Sequence, residues 1–151
     1  MLVKKTFAAG MSCFLVVAVL ISFTHAAVQK SIGLLPTPDA AAAQGTALIK
    51  EPDFSIRGAE EQKELVLNVS GLEQNAVYSV WLVNERPKMD MVRVGYGDAS
   101  FRTDATGSGR FTAILPASEL KKWNMIQVAH HPDGNPKNTD TMKMALKAYI
   151  D

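Results

Sequence analysis

An alternation of apolar and polar residues runs through most of the chain, and it constrains the fold more than any other feature. In the segment "ELVLNVS", Leu65, Leu67 and Val69 share one face, because successive side chains of a strand point to opposite sides. The segment "VYSVWLVN" is apolar on both faces, which is typical of a central strand. The segments "GRFTAIL", "NMIQVAH" and "MKMALKAYI" alternate in the same way. This period of two predicts β-strands over residues 47–151.

Turn residues separate these segments at short intervals. The glycines of "DATGSG", between "SFRT" and "GRFTAIL", supply the positive φ angles that a hairpin loop needs. Only "PASELKKW" has a helical pattern, with Ser118 as the N-cap of a single turn. We therefore expect an all-β fold, an antiparallel β-sandwich of about seven strands with one short helical turn.

Residues 1–26 have the order of a secretory signal peptide. Lys4 and Lys5 form a positive segment, residues 11–23 are apolar, and the small residues up to Ala26 form a cleavage signature. The apolar segment is shorter than the about 20 residues that a membrane-spanning helix needs. We therefore expect cleavage after Ala26, no membrane span afterwards, and a periplasmic or secreted location.

The remaining chain divides into a linker and one domain. Residues 27–46 are rich in alanine and proline, so we expect a linker or a segment ordered only by docking onto the domain. Residues 47–151 have the size of a single domain. The only cysteine, Cys13, leaves with the leader, so this domain has no disulfide bond. The charge is nearly balanced and contains no basic run, which argues against nucleic acid as a partner.

The passage "LNVSGLEQNAVYSVWLVN" resembles immunoglobulin-like sandwiches of the fibronectin type. It is more similar to the extracytoplasmic domain of anti-sigma-K factor proteins, which also have a "GL", a later "Y-x-x-W-L", a glycine-bearing hairpin and a "P-x-G-x-P" turn, here Pro132–Pro136. The resemblance covers residues 53–150 and implies an immunoglobulin-like β-sandwich outside the cytoplasm. Those regulators carry a cytoplasmic sigma-binding domain and a spanning helix before this domain. Only a leader precedes it here, so sigma-factor regulation is not implied.

Two pairs of methionines have the i, i+2 spacing that places both thioethers on one face of a strand. Thioethers select Cu(I), and imidazole suits both copper states. Met142 and Met144 align with the apolar residues of the last segment, which predicts an inward face where methionine fills gaps. Met89 and Met91 follow a proline loop and are the stronger ligand candidates. The alternative for them too is packing in the core or at its rim.

Two adjacent histidines stand in "VAHHPDGNPKNTD". A strand through both would place His130 and His131 on opposite faces, unless it ended between them, which Pro132 permits. The turn residues after them account for a loop without any ligand. The histidines are therefore either packed and hydrogen-bonded or part of a copper site, whose candidate ligands are Met89, Met91, His130 and His131.

Catalytic signatures are absent from the sequence: it has no H-E-x-x-H, no G-x-S-x-G, no phosphate-binding glycine loop and no catalytic cysteine. Tyr96, between two glycines, is the aromatic residue we expect on the surface. We therefore expect an exported, non-catalytic binding or interaction domain without a cofactor, whose partner is an unidentified protein of the cell envelope. The alternative is a periplasmic copper-binding or copper-trafficking protein that uses an M-x-M pair and the His-His-Pro loop.

Overall fold

The computed structural model describes residues 29–53 and 60–150. Within these residues the chain forms one 3₁₀ turn (Pro38–Ala40), one short helix and nine strands. The helix is α1 (Ala117–Leu120). The strands are β1 (Lys30–Pro36), β2 (Gln44–Lys50), β3 (Gln62–Ser70), β4 (Val77–Asn84), β5 (Asp90–Arg93), β6 (Ser100–Arg102), β7 (Gly109–Pro116), β8 (Met125–His131) and β9 (Lys143–Tyr149).

The strands form one curled antiparallel sheet in the order β5-β4-β8-β9-β1-β2-β3-β7, and β6 pairs with β4. Strand β1 joins the two halves of this sheet. Its residues Lys30–Leu34 pair with β2, whereas Leu35 and Pro36 pair with β9. The predicted all-β, sandwich-type fold with one short helical turn is confirmed, with nine strands in the described residues instead of about seven. Helix α1 begins after Pro116, and Ser118 is not its N-cap.

The N-terminal segment is part of the sheet. Of the two alternatives for residues 27–46, a linker or a segment ordered by docking onto the domain, the structure fits the second, because from Lys30 onwards they contain β1, the 3₁₀ turn and the start of β2. Leu34 is the only residue of β1 that is buried. Its apolar alternation is limited to Ile32 and Leu34, which pack on the main core, and two residues are too few for a strand to be recognised from the sequence.

The main core lies between the two halves of the sheet. Leu65 and Leu67 of β3 belong to the same buried cluster as Val80 and Leu82 of β4, and all four side chains are almost inaccessible to solvent. Strand β4 lies between β8 on one side and β5 and β6 on the other. The prediction that it is a central strand is therefore confirmed.

A second buried cluster lies on the other face of β4 and β8. It contains Trp81, Val83, Met125 and Ala129, against which partly buried methionines pack: Met91, Met142 and Met144. This outer cluster explains why β4 is apolar on both faces. The segment that covers part of it is the connection between β8 and β9, residues 132–142, which we call the covering loop.

Two sequence-based expectations concern the leader and membrane-spanning helices. The predicted signal peptide and its cleavage position lie outside the described residues. Across residues 29–53 and 60–150, no helix has the length and apolar character needed to cross a membrane.

Candidate functional site

The two adjacent histidines point to opposite faces of β8, as one of the two sequence-based alternatives predicts. His130 lies opposite Tyr78 in the β4–β8 pairing. The His130 ring stacks on the ring of Tyr78, a core residue, with centroids 4.9 Å apart. His131 pairs with Val77 and is buried on the outer face, with 1% of its surface exposed. One metal ion therefore cannot be bound by both rings at these positions.

His131 is the centre of a buried hydrogen-bond network. Its Nδ1 lies 3.0 Å from the carbonyl oxygen of Asn138, and its Nε2 lies 2.6 Å from Ser79 Oγ. A carbonyl oxygen can only accept, so in the neutral ring Nδ1 carries the proton and Nε2 accepts from the serine hydroxyl. The indole Nε1–H of Trp81 donates to the same Ser79 Oγ at 2.7 Å. Every polar atom of the His131 ring therefore has a partner.

This network attaches the covering loop to the sheet, and Arg93 adds a second attachment. The guanidinium of Arg93 lies over the Trp81 ring, 4.9 Å from its centroid, and donates to the carbonyl oxygen of Pro136 at 2.7 Å.

The Ser79–His131 pair has the short distance of a nucleophile and its general base. Ser79 is fully buried, however, so a substrate could reach it only if the covering loop were displaced.

The structure does not bring the four candidate copper ligands together. Met91 lies opposite Val83 on one side of β4, and His131 lies opposite Val77 on the other side. Those two positions are separated by about 20 Å of strand, far more than one coordination sphere spans. Met89 is 61% exposed and precedes β5, which places it still further from His130 and His131 along β4. In the described part of the chain, no three His, Cys, Asp or Glu side chains form a cluster that could hold a metal ion.

The second methionine pair also differs from the prediction. Met144 lies opposite Ala129 and packs on the outer cluster together with Met142, whereas Leu146 lies in the main core. A bulge in the β8–β9 pairing, between Val128 and Ala129, adds one extra residue to β9. The residues of β9 before the bulge therefore point to the opposite face from the one that strict alternation predicts. The inward face predicted for Met142 and Met144 is therefore wrong, because strict alternation does not hold through a bulge.

A cleft at one end of the sandwich is lined by several polar and charged side chains. It has a volume of about 320 Å³. Five separate segments form it: the 3₁₀ turn with the residues after it, the β3–β4 loop, the start of β4, the end of β8 and the start of β9. Its charged, aromatic and imidazole side chains are Asp39, Glu73, Tyr78, His130 and Lys143. We call it the His130 cleft.

One wall of the His130 cleft is formed by stacked rings. The Tyr78 ring lies between Phe101, at 5.7 Å between centroids, and His130. The backbone N–H of Glu73 donates to Tyr78 Oη at 3.0 Å, so the hydroxyl hydrogen of Tyr78 is available to another acceptor. Burial raises the pKa of Tyr78 above its ordinary value, although the hydrogen bond from Glu73 acts in the opposite direction. The residue therefore stays a neutral donor.

The surroundings of His130 favour the neutral imidazole, because its pKa is lowered. Burial, the largest cause, lowers its pKa below the ordinary value, and the nearby His131 and Lys143 lower it further. The Glu73 carboxylate raises it, because Glu73 Oε2 lies 3.6 Å from His130 Nε2. Protonation would convert this contact into an ion pair. The cleft thus combines the carboxylates of Asp39 and Glu73, the ammonium group of Lys143 and two polar rings.

Most residues of this cleft have no recognisable signal in the sequence. Asp39 and Lys143 have no motif around them, and Glu73 follows a strand as an ordinary turn residue. Of its polar side chains, only His130 was a candidate in the sequence analysis. The exposed position predicted for Tyr96 is confirmed, since this residue is 94% exposed between Gly95 and Gly97. A ligand contact at Tyr96 stays a prediction.

Comparison with known proteins adds no identity. No model of a protein family matches the chain, and no curated protein matches it. The resemblance to the extracytoplasmic domain of anti-sigma-K factor proteins therefore stays a prediction.

Proposed function

We propose that this protein is an exported, non-catalytic binding domain, and that its ligand occupies the His130 cleft. The observation that carries the proposal is the convergence of Asp39, Glu73, Tyr78, His130 and Lys143 on one concave site, from five segments of the chain. Small-ligand sites are clefts of about 300–1,000 Å³ in which a few polar groups fix the orientation of the ligand. The volume of about 320 Å³ places this cleft at the lower end of that range, so the ligand is small.

The construction of the cleft also favours binding. Its walls are connections at one end of a rigid sheet, and binding residues are commonly carried on such connections. The Phe101–Tyr78–His130 stack holds one wall in place, so little ordering is needed when a ligand enters. Export is proposed from residues 1–26, whose order is that of a signal peptide.

A catalytic role has weaker support. The Ser79–His131 pair is beneath the covering loop, and both nitrogens of His131 already have partners. In the His130 cleft no serine, threonine or cysteine hydroxyl or thiol lies beside the imidazole among the lining residues. The copper-handling alternative loses its original basis, because Met91 and His131 are separated by about 20 Å along β4.

The proposal is tested by recording amide spectra of the isotope-labelled protein against a library of small polar metabolites. We expect a subset of compounds to shift the amides of Leu72, Glu73 and Lys143 together, and the shifts to be lost in Tyr78→Phe/His130→Gln. The matched control is Tyr149→Phe, which removes an exposed hydroxyl far from the cleft. Compounds that bind only elsewhere, or shifts that survive the double substitution, would show that the cleft is not the ligand site.

Export has its own test. The mass of the protein recovered from the envelope or the medium of an expressing bacterium should correspond to a chain that begins at Ala27. A full-length mass in the cytosolic fraction would contradict it.

A further inference from the structure

In the part of the chain that the structure describes, no close ion pair neutralises the charges of the His130 cleft. Within residues 29–53 and 60–150, neither Asp39 nor Lys143 belongs to an ion pair. In the same residues, the only basic group close to the Glu73 carboxylate is the His130 imidazole, with Nε2 3.6 Å from Oε2. Exposed lysines and carboxylates elsewhere do pair, for example Lys122 with Glu119 at 2.6 Å. Unneutralised charges that line a concave surface concentrate ions and groups of the opposite sign.

The signs of these charges restrict the ligand. A simple anion would meet the carboxylates of Asp39 and Glu73, and a simple cation would meet the ammonium group of Lys143. A ligand that carries both signs can satisfy all three side chains, because its ammonium group can bind the carboxylates while its carboxylate binds Lys143. Such charge-assisted hydrogen bonds are among the stronger polar contacts in proteins.

The walls of the cleft restrict the rest of the molecule. The apolar lining consists largely of short side chains, from Ala40, Ala41, Ala42 and Ala145, together with Leu72. The hydroxyl of Tyr78 and the imidazole of His130 are neutral and can each form one directed hydrogen bond. We propose that the cleft binds a small zwitterionic amine of the α-amino-acid class. This inference rests on the proposed function, namely that the His130 cleft is the ligand site.

The test is calorimetric titration of the protein with each of the common free L-amino acids, followed by two derivatives of the best binder. The N-acetyl derivative lacks the ammonium group, and the C-terminal amide lacks the carboxylate. We expect each derivative to bind about 10-fold to 100-fold more weakly than the free amino acid, the loss expected for one charge-assisted contact. Because this series uses the unmodified protein, it does not depend on whether a variant folds.

Substitutions assign each charge to its partner. Glu73→Gln should weaken binding of the free amino acid but not of its N-acetyl derivative, and Lys143→Gln should weaken binding of the free amino acid but not of its amide. The matched controls are Glu85→Gln and Lys88→Gln, which change exposed charges in the β4–β5 loop at the other end of β4. The controls should leave every dissociation constant unchanged.

The outcomes separate the two proposals. If no amino acid binds but other library compounds shift the cleft amides, the ligand class is wrong and the cleft remains the binding site. If neither amino acids nor other compounds shift those amides, both proposals are overturned. Equal affinities for the free amino acid and its two derivatives would also overturn the zwitterion proposal.

Discussion

The Ser79 hydroxyl should stabilise the protein more than any exposed hydroxyl, and Ser79→Ala tests this directly. The hydroxyl donates to His131 Nε2 at 2.6 Å and accepts from Trp81 Nε1 at 2.7 Å. Its removal leaves two buried polar atoms without partners, since His131 and Trp81 are 1% and 6% exposed. The Cβ atom remains, so packing changes little.

The expected magnitude follows from those two atoms. A buried polar atom left without a hydrogen bond costs about 1–3 kcal/mol. Ser79→Ala should therefore lower the free energy of unfolding by about 2–6 kcal/mol, a large part of the about 5–15 kcal/mol that holds a typical domain folded. The loss should also loosen the covering loop, because His131 is the residue that binds Asn138.

Urea denaturation followed by far-UV circular dichroism measures the change without relying on Trp81 as the probe. The slope of the unfolding free energy against urea should stay the same, since the surface exposed on unfolding is unchanged. Hydrogen exchange should become faster at the amides of Gly134 and Asn138, which are bonded to the carbonyl oxygens of His131 and Asn135. Ser118→Ala, an exposed hydroxyl on α1, is the control.

A loss of less than about 0.5 kcal/mol, the usual range for surface substitutions, would refute the reasoning. It would mean that water or a rearranged loop replaces the serine hydroxyl, and that the network does not hold the covering loop in place.

Two other predictions concern backbone space and pH. Gly107→Ala should destabilise the protein by at least about 1 kcal/mol more than Gly134→Ala. Both glycines have positive φ (78° and 71°), but only a Cβ atom at position 107 would collide with the carbonyl group of Leu72. Equal melting temperatures of the two variants would contradict this. The pKa of His130 is lower in the folded protein than in the unfolded chain, so the unfolded chain takes up the proton first as the pH falls. The neutral His130 therefore contributes its full stabilisation above the ordinary pKa of 6.5. This stabilisation is lost as the pH falls through the lower pKa of the folded protein. Urea titrations over that interval should show a smaller pH dependence in His130→Gln, and identical curves would show that His130 is not the group responsible.

Sequence periodicity predicted those parts of the fold in which side chains decide the structure. The two apolar faces of β4 and the opposite directions of His130 and His131 follow from simple alternation. Strand β1 could not be found in this way, because only Ile32 and Leu34 alternate in it and the rest of the strand is held by backbone pairing with β2 and β9. Met144 was placed on the wrong face because a bulge has no signature in the alternation of apolar residues.

The candidate site was much less predictable. Asp39, Glu73 and Lys143 come from turns and strand ends that are far apart in the chain, and they meet only because β1 brings the 3₁₀ turn beside β9. The candidate copper ligands lie far apart for a related reason. Residue types at short spacing in the sequence say nothing about the length of strand that separates two positions in the sheet.

Strand β1 also determines when the protein can finish folding. It connects residues near the two ends of the described chain: Lys30 donates to the carbonyl oxygen of Ile150, 120 positions away, and Thr37 Oγ1 donates to that of Met144, 107 positions away. A chain emerging from the ribosome can pair β1 with β2 early, but β1 cannot join the two halves of the sheet until β9 has been made. Closing such distant pairs is slow compared with forming neighbouring hairpins. Until then β2–β3–β7 and β4–β8 would be separate half-sheets with exposed apolar faces. The chain would be most prone to aggregation at that stage, and a chaperone would have its greatest effect there.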